Sequence, residues 1–583
     1  MDRVVDRVMQ HVSERGVGHV FMVTGGGAMF INDAVDKNPL IKAVYLHHEQ
    51  TCAMAAVAYG KNKQRRLFGV AVGTSGCGST NMMTGLLDAW QDGVPCLFIS
   101  GNANLNQIHA RDERHYGVQD LDIEPIVRPL TKAFFRVKDP NNIDDVMNMA
   151  VHLATSGNPG PVWIDIPIDI QGKTVKRDLE IRELQDKSLL VETEKEVKNV
   201  SKILEDAKRP LLLFGKGYSP KVKNLLAAHN VPAVRTFGGS KSGSLGCIGV
   251  KGDRIANLAL YYADVVVCLG SSLSIPAIGY DLKDSMKHCK HLIVVDKECN
   301  KFKKRLYGSH IKNIHFVYSD AASFYFKLTE ALSREAGVSY KFNLHQINKY
   351  LIFSSNLCVE DNNTLNRFNI KSFCEKAIEH YRYVVADAGS AYYIVSKAVK
   401  SHQRYIAPIS QAEMGAALPY AIGTYYATGA EVAAFTGDGS LQMNIQDLGA
   451  LNGTKIHLYV LNNEGYLSIR NTQNKFFGSK TYGTEESSGL TFPDLEQVSR
   501  AYGVEYKKLY KFDDTAWIRG VPASINEVMC NPHEDIYPRV EAKRNNDGSF
   551  TSYGFKNMYP FLADDQISEI EKSLGVKEGE QEV

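Results

Sequence analysis

No two of the ten cysteines are spaced as C-x-x-C, and several stand in apolar, strand-like runs. Buried free thiols in a reducing compartment are therefore expected, not a disulfide framework. An excess of one charge is also missing. Lys and Arg number 67 against 65 Asp and Glu, a net charge of +2 that gives no basic field for nucleic acid and no acidic tail. No apolar run approaches the roughly 18 residues needed to span a bilayer. After Met1 comes an amphipathic pattern, Val4, Val5, Val8, Met9 and Val12, with acidic residues inside it. That reads as the first helix of a domain, not as a targeting segment. Short-period repeats and low-complexity tracts are absent. What is there is an ordinary composition, 44% hydrophobic and 23% charged, in a chain of 583 residues. These bounds point to a cytoplasmic protein with neither nucleic-acid nor membrane partners. The length points to about three domains.

The apolar pattern divides the chain in that way. Residues 1–172 alternate strands at Val20–Val23, Ala43–Leu46, Leu67–Val72, Cys96–Ser100 and Val162–Ile166 with helical stretches. Such alternation predicts a parallel sheet covered on both faces. Residues 173–199 are highly charged and read as a linker with some helix. In residues 200–340, Pro210–Phe214 runs into Gly215-Lys216-Gly217, Ala263–Cys268 into Gly270-Ser271-Ser272, and His291–Val295 into Asp296. These are strand endings of a second doubly wound sheet, but no G-x-G-x-x-G follows any of them. A connector at 341–362 is the end of a less apolar stretch that begins at Lys327, and it leads to a third sheet domain, 363–540. Its strands are Val384–Ala386, Glu431–Thr436, Ile456–Leu461 and Ile525–Val528. The tail, 541–583, is polar and then aromatic at Met558-Tyr559-Pro560-Phe561. The fold class is α/β, three doubly wound parallel-sheet domains.

The third domain holds the most informative stretch, G-D-G-S-L-Q-M-N from Gly437 and L-N-N-E-G ending at Gly465. Asp438 and Asn463 flank an apolar strand, 25 positions apart. A carboxylate, an amide oxygen and the Gly465 carbonyl make an all-oxygen set suited to Mg²⁺ or Ca²⁺, and Mg²⁺ commonly shares its octahedron with a phosphate. Gly437 and Gly439 let backbone approach a diphosphate, and Ser440 can donate to it from N–H and hydroxyl. Either turn alone is ordinary turn chemistry. A second constellation is Leu46-His47-His48-Glu49-Gln50, which places Glu49 between a strand and a small-residue helix. That position suits function and equally suits a plain helix-start carboxylate. Thr74-Ser75-Gly76-Cys77-Gly78-Ser79-Thr80-Asn81 is a small-residue turn, either close-packed or open to a flat ring.

Taken in order, H-E-Q-T-C-A-M-A-A, T-S-G-C-G-S-T-N-x-x-T-G-L-x-D-A-W-x-D-x-V-P, A-E-M-G-A-A-L-P-x-A-I-G and G-D-G-S…L-N-N resemble the acetolactate-synthase-like branch of the thiamine-diphosphate decarboxylases and carboligases. The likeness covers roughly residues 1–540. It implies a pyrimidine-binding first domain, a Rossmann-like middle domain and a diphosphate-binding third domain. It also implies a homodimer or homotetramer whose active sites take halves from two subunits. By that resemblance Glu49 holds N1′ of the pyrimidine and drives its tautomerism, a proton-transfer role. Thr74 and Gly76 flank the ring, the Ala412 carbonyl accepts from the 4′-amine, and Met414 props the cofactor into its bent shape. Met414 on its own is equally a core methionine. Gly389 and Ser390, after Asp387-Ala388, form a second diphosphate loop. Gly439, Ser440 and Tyr466 complete the cofactor set, and Asp438, Asn463 and Gly465 hold the Mg²⁺.

On the substrate side, Val118-Gln119-Asp120-Leu121-Asp122 resembles the family's F-Q-E-V-D loop and makes Gln119 the second catalytic residue. Gly26 and Gly27 resemble the glycine turn near the substrate carbonyl. His115 either acts on a substrate proton or is simply solvated, and Arg470 is a candidate carboxylate holder. The flavin-associated R-F-D-D-R pattern is missing, with Ser271-Ser272-Leu273-Ser274-Ile275 in its place, which puts FAD in doubt. No pair of adjacent histidines stands between Gly101 and Asp122, where simple 2-oxo acid decarboxylases resemble one another. The resemblance therefore favours decarboxylation of a 2-oxo acid such as pyruvate, with ligation of the two-carbon unit to an acceptor carbonyl. Simple decarboxylation, or transfer to a keto-sugar nucleotide in surface-polysaccharide biosynthesis, is the alternative.

Overall fold

A computed structural model describes residues 2–62, 68–108, 114, 116–184, 193–217, 231–241, 243–334, 367–478, 480–510, 522–574 and 576. The chain forms two compact units. One combines residues 1–186 with 365–534, and the other combines 187–364 with 535–583. No helix among the described residues is long and apolar enough to cross a membrane.

The first unit contains two six-stranded parallel sheets. One is built from β1 (His19–Met22), β2 (Lys42–Tyr45), β3 (Gly69–Gly73), β4 (Cys96–Asn102), β5 (Ala133–Arg136) and β6 (Pro161–Pro167). Its strand order is β2-β1-β3-β4-β6-β5. The second unit's sheet uses β7 (Pro210–Phe214), β8 (Ala233–Arg235), β9 (Val265–Leu269), β10 (His291–Asp296) and β11 (Asn313–Tyr318), in the order β11-β10-β9-β7-β8. The third sheet has β12 (Tyr383–Ala386), β13 (Arg404–Ile406), β14 (Val432–Gly437), β15 (Ile456–Asn462), β16 (Glu505–Leu509) and β17 (Ser524–Met529). Its order, β13-β12-β14-β15-β17-β16, repeats that of the first sheet strand for strand.

The two six-stranded sheets share one core. Helix Glu49–Lys61 is buried along almost its whole length and packs on helix Ala417–Thr428. The approach is close because both helices are rich in small residues. A Cβ at Gly423 would collide with the Ala55 carbonyl, and a third helix, Met83–Gln91, comes as close to helix Glu49–Lys61, since a Cβ at its Gly85 would meet Ala53. Nine described cysteines are free thiols, and all but Cys77 are buried.

Three segments outside the sheets take these places. The charged linker ends in helix Thr193–Glu205, whose Val197, Val200 and Leu204 belong to the middle sheet's own core. The less apolar stretch from Lys327 opens inside helix Ala321–Arg334. Its remainder, including the connector 341–362, lies outside the described residues. In the tail, Phe555, Met558, Leu562, Ile567 and Ile570 are buried in a core shared with the middle sheet. Arg254 fastens the same segment by donating to the carbonyls of Met558, at 2.9 Å, and Pro560, at 2.6 Å.

Candidate active site

In both six-stranded sheets the chemistry gathers at the carboxyl ends of the central strands, where loops meet the starts of helices. On the third sheet, Gly437 and Leu461 are register partners on β14 and β15. Asp438 and Asn463 therefore leave neighbouring strands close together. Asp438 Oδ2 accepts the Gly465 N–H at 2.7 Å. Its Oδ1 and the Asn463 Oδ1 are both buried with no hydrogen-bond partner among the described residues. Buried oxygens are rarely left so, and two on adjoining loops fit a hard cation. Burial pushes the Asp438 carboxyl up to about 7, against the N–H groups of Gly465 and Gly439, so an unneutralised carboxylate is costly there. Gly465 has φ 123°, and a Cβ on it would strike the Thr484 carbonyl, so only glycine fits that turn. The Gly465 carbonyl accepts from Leu467 N–H at 3.1 Å and retains a second lone pair.

A cavity of about 570 Å³ opens beside this pair, lined in part by Asp438, Glu464, Glu485, Glu527, Arg470 and His533. Its acidic lining disfavours a bare diphosphate and favours one that arrives with a cation. Among the described residues, no three His, Cys, Asp or Glu side chains gather into a metal cage. Any metal here depends on the amide and carbonyl oxygens. The site's residues thus fit Mg²⁺ with thiamine diphosphate.

Asp387 is the hub that sequence reasoning missed. Its Oδ2 accepts from Ser440 Oγ at 2.7 Å and Thr436 Oγ1 at 2.8 Å, while its Oδ1 is buried and unpartnered. Burial raises this carboxyl to about 6, opposed by those hydroxyls. Ser440 Oγ also accepts the Gly415 N–H at 2.8 Å, which ties the loops after β12, β13 and β14 together. The Ser440 hydroxyl thus has Asp387 as its acceptor, while its backbone N–H lies at the start of helix Asp438–Leu441. Gly389 and Ser390 open helix Gly389–Ala398, whose amino terminus suits an anion. Tyr466 packs its ring over Gly439, leaving no room for a Cβ there.

The loop before helix Ala417–Thr428 carries Ala412 with φ 49°, an uncommon conformation for a residue with a Cβ and a form of stored strain. The loop is held from below. Asp92 accepts the N–H groups of Ile409 and Ser410, each at 3.0 Å. Lys61 Nζ donates to Asp92 at 2.6 Å and to the Ala407 carbonyl at 2.8 Å. Glu413, between Ala412 and the half-buried Met414, has both carboxyl oxygens buried and unpartnered among the described residues. Burial, reinforced by Asp88 and opposed by Lys61, pushes its carboxyl up to about 9.

On the first sheet, Glu49 opens its helix and is 8% exposed. Its Oε2 accepts from Asn81 Nδ2 at 2.9 Å, a partner inside the quoted T-S-G-C-G-S-T-N stretch that carried no role at first reading. Thr74 Oγ1 accepts the Gly27 N–H at 3.0 Å, so the Gly26-Gly27 turn and the Thr74–Asn81 turn lie together. Gly76 has φ 60°, and a Cβ there would sit 3.0 Å from the Gln119 carbonyl. Gln119, itself at φ 56°, points its Nε2 at Cys77 Sγ, 3.7 Å away. Glu49, Gly27, Thr74, Gly76 and Gln119 therefore form one cluster. His115 lies outside the described residues.

The Arg470 guanidinium is buried and donates to the carbonyls of Glu464, Asn463 and Pro532 and to Glu485. It braces the loop after β15 and also lines the cavity beside Asp438.

Three family models match the chain. They are the thiamine pyrophosphate enzyme N-terminal domain at residues 2–126, the central domain at 197–314 and the C-terminal domain at 387–519. The acetolactate synthase large subunit of Lactococcus lactis is 27% identical over 573 residues, covering 93% of this chain and 94% of its own. Acetolactate synthase isozyme 1 large subunit of Escherichia coli is 24% identical over 91% and 95% of the two chains. A probable chloroplastic acetolactate synthase of rice is 27% identical over 90% and 81%.

Proposed function

This chain belongs to the thiamine pyrophosphate enzyme family, and from that premise we propose that it is a Mg²⁺-dependent carboligase acting on a 2-oxo acid. Pyruvate is the first donor to test, and the two-carbon unit passes to an acceptor carbonyl. The observation that carries the reading is the pair of buried, unpartnered oxygens on Asp438 and Asn463. When bound, thiamine diphosphate supplies the nucleophilic carbon and the electron sink that decarboxylation requires.

The protein's residues then divide the remaining work. Asp438, Asn463 and the Gly465 carbonyl hold the cation, and the N–H groups at Gly389 and Ser390 receive phosphate oxygens. The Ala412 carbonyl would accept a hydrogen bond from the amine of the pyrimidine, and Met414 would support the cofactor's apolar side. Glu49 holds and moves a proton at the ring nitrogen, steadied by Asn81. Gln119 donates to the acceptor carbonyl as charge develops on its oxygen. Val118 beside it is smaller than the aromatic residue of the loop it resembles, which leaves the acceptor side open. That openness supports a bulky acceptor such as a keto-sugar nucleotide alongside a second 2-oxo acid. Pairing of two copies would complete each site.

The test is incubation with pyruvate, cofactor and Mg²⁺, with and without these acceptors, followed by mass analysis. A ligated product is expected. Acetaldehyde as the sole product with every acceptor would replace the reading with simple decarboxylation.

A further inference from the structure

The loop that carries Gln119 is tied to its sheet by a line of charged groups that no motif announces. Ser100, Arg136 and Asp165 stand side by side, since Asp165 on β6 is the register partner of Ser100 on β4 and of Arg136 on β5. Asp165 is fully buried and accepts from Ser100 Oγ at 2.8 Å, Asn102 Nδ2 at 3.1 Å and Arg136 Nε at 2.8 Å. The other arm of the guanidinium, Nη2, donates to Asp122 Oδ1 at 2.8 Å. Asn102 Nδ2 also donates to the Leu121 carbonyl at 2.9 Å. Leu121 and Asp122 directly follow the Gln119-Asp120 pair, so both anchors grip the base of this loop.

Resting on the carboligase reading, in which Gln119 acts on the acceptor carbonyl, we propose that Arg136 is a positioning residue, a clamp that acts through Asp122 to set where Gln119 stands. The buried end, Asp165, fixes the guanidinium in one orientation. A planar fork can bridge two carboxylates through separate nitrogens, which a lysine ammonium does with far less directional control. The strained φ of Gln119 supports this, because a left-handed residue in an exposed loop persists only when its surroundings over-determine it. Cys77 reports on the same geometry, being exposed and in contact with the Gln119 amide.

The test begins with the full-length protein without cofactor. Asp122→Ala cuts only the loop end of the clamp and leaves the buried pair whole. It is expected to speed iodoacetamide alkylation of Cys77, located by peptide mass mapping, by at least about threefold through local opening. Amide exchange across residues 116–123 should rise with it, while the melting temperature stays close to wild type. Arg136→Met strands Asp165 and is expected to lower stability, so Asp122→Ala and Arg136→Lys decide the matter, with the lysine variant intermediate.

With cofactor and Mg²⁺, Asp122→Ala should lower the ratio of ligated product to released aldehyde without altering cofactor affinity. Added to Gln119→Ala it should cost nothing further, because the two act as one unit. Unchanged Cys77 alkylation and amide exchange in Asp122→Ala would overturn the clamp. Additive losses in the double variant would overturn its action through Gln119. Faster alkylation, with wild-type turnover in Gln119→Ala, would uphold the clamp and discard the catalytic reading beneath it.

Discussion

At the scale of single residues, the chemistry of this protein lies in acids that lack partners. Asp438→Ala removes one of two buried oxygens that wait for a cation, and it leaves the sheet beneath untouched. Calorimetry should show cofactor and Mg²⁺ affinity falling about a hundredfold, ~2.7 kcal/mol, with the melting temperature of the unloaded protein unchanged or raised. Glu413 gives a pH signature. Its carboxyl ionises from 4.5 upward in the unfolded chain but keeps its proton to about 9 in the fold. Stability is therefore full below pH 4.5 and is lost progressively as pH rises toward 9. Glu413→Gln abolishes that loss, so its advantage in melting temperature over wild type should grow between pH 5 and pH 8. An equal difference at both values would show that the carboxyl is not held neutral. Asp438 and Asn463 could be picked out because each sits in a short run of turn residues, and Glu49 and Gln119 because their local stretches resemble those of a known family. The bracing contacts of Arg470, Asp387 and Arg136 were not legible there, because each reaches a partner far along the chain, as Pro532 lies 62 residues from Arg470, Ser440 lies 53 from Asp387 and Asp165 lies 29 from Arg136.

Among elements, the strands legible in the sequence are mainly the central ones, where burial on both faces gives continuous apolar runs. Of those that escaped, β5, β8, β11, β13 and β16 all lie at sheet edges, and the short antiparallel pair Ala542–Arg544 and Phe550–Ser552 lies in the tail. Glu505–Leu509, with three charged residues of five, is exposed or half-buried except at its last residue and carries no apolar run to find. The helix pair at the core was less visible still, since its signal is an absence of bulk. Gly423→Ala puts a methyl against the Ala55 carbonyl. Two packed helices must part to admit it, at a cost of roughly 1–3 kcal/mol. Thermal denaturation should show the loss. A melting temperature equal to wild type would mean that the two helices pack less tightly than described.

For the whole molecule, the tail belongs to the middle sheet's unit. Phe555, Met558, Leu562, Ile567 and Ile570 are each buried there, and each contributes roughly 1.5–3 kcal/mol. Their sum matches the entire stability of a typical domain. Deleting residues 541–583 should therefore open segment 200–330 to limited proteolysis while the two six-stranded sheets stay resistant. Uniform resistance would place the tail's contribution near zero. The repeated strand order has a further meaning. Matched strand by strand, Glu49 and Ala417 are positional twins, since each opens the helix that follows the second strand of its sheet. One ancestral-looking backbone plan is written twice with unrelated letters, and the copies have diverged in vocation. The first keeps a carboxylate where that helix begins. The second keeps alanine there and carries its buried acids, Asp387 and Asp438, after neighbouring strands.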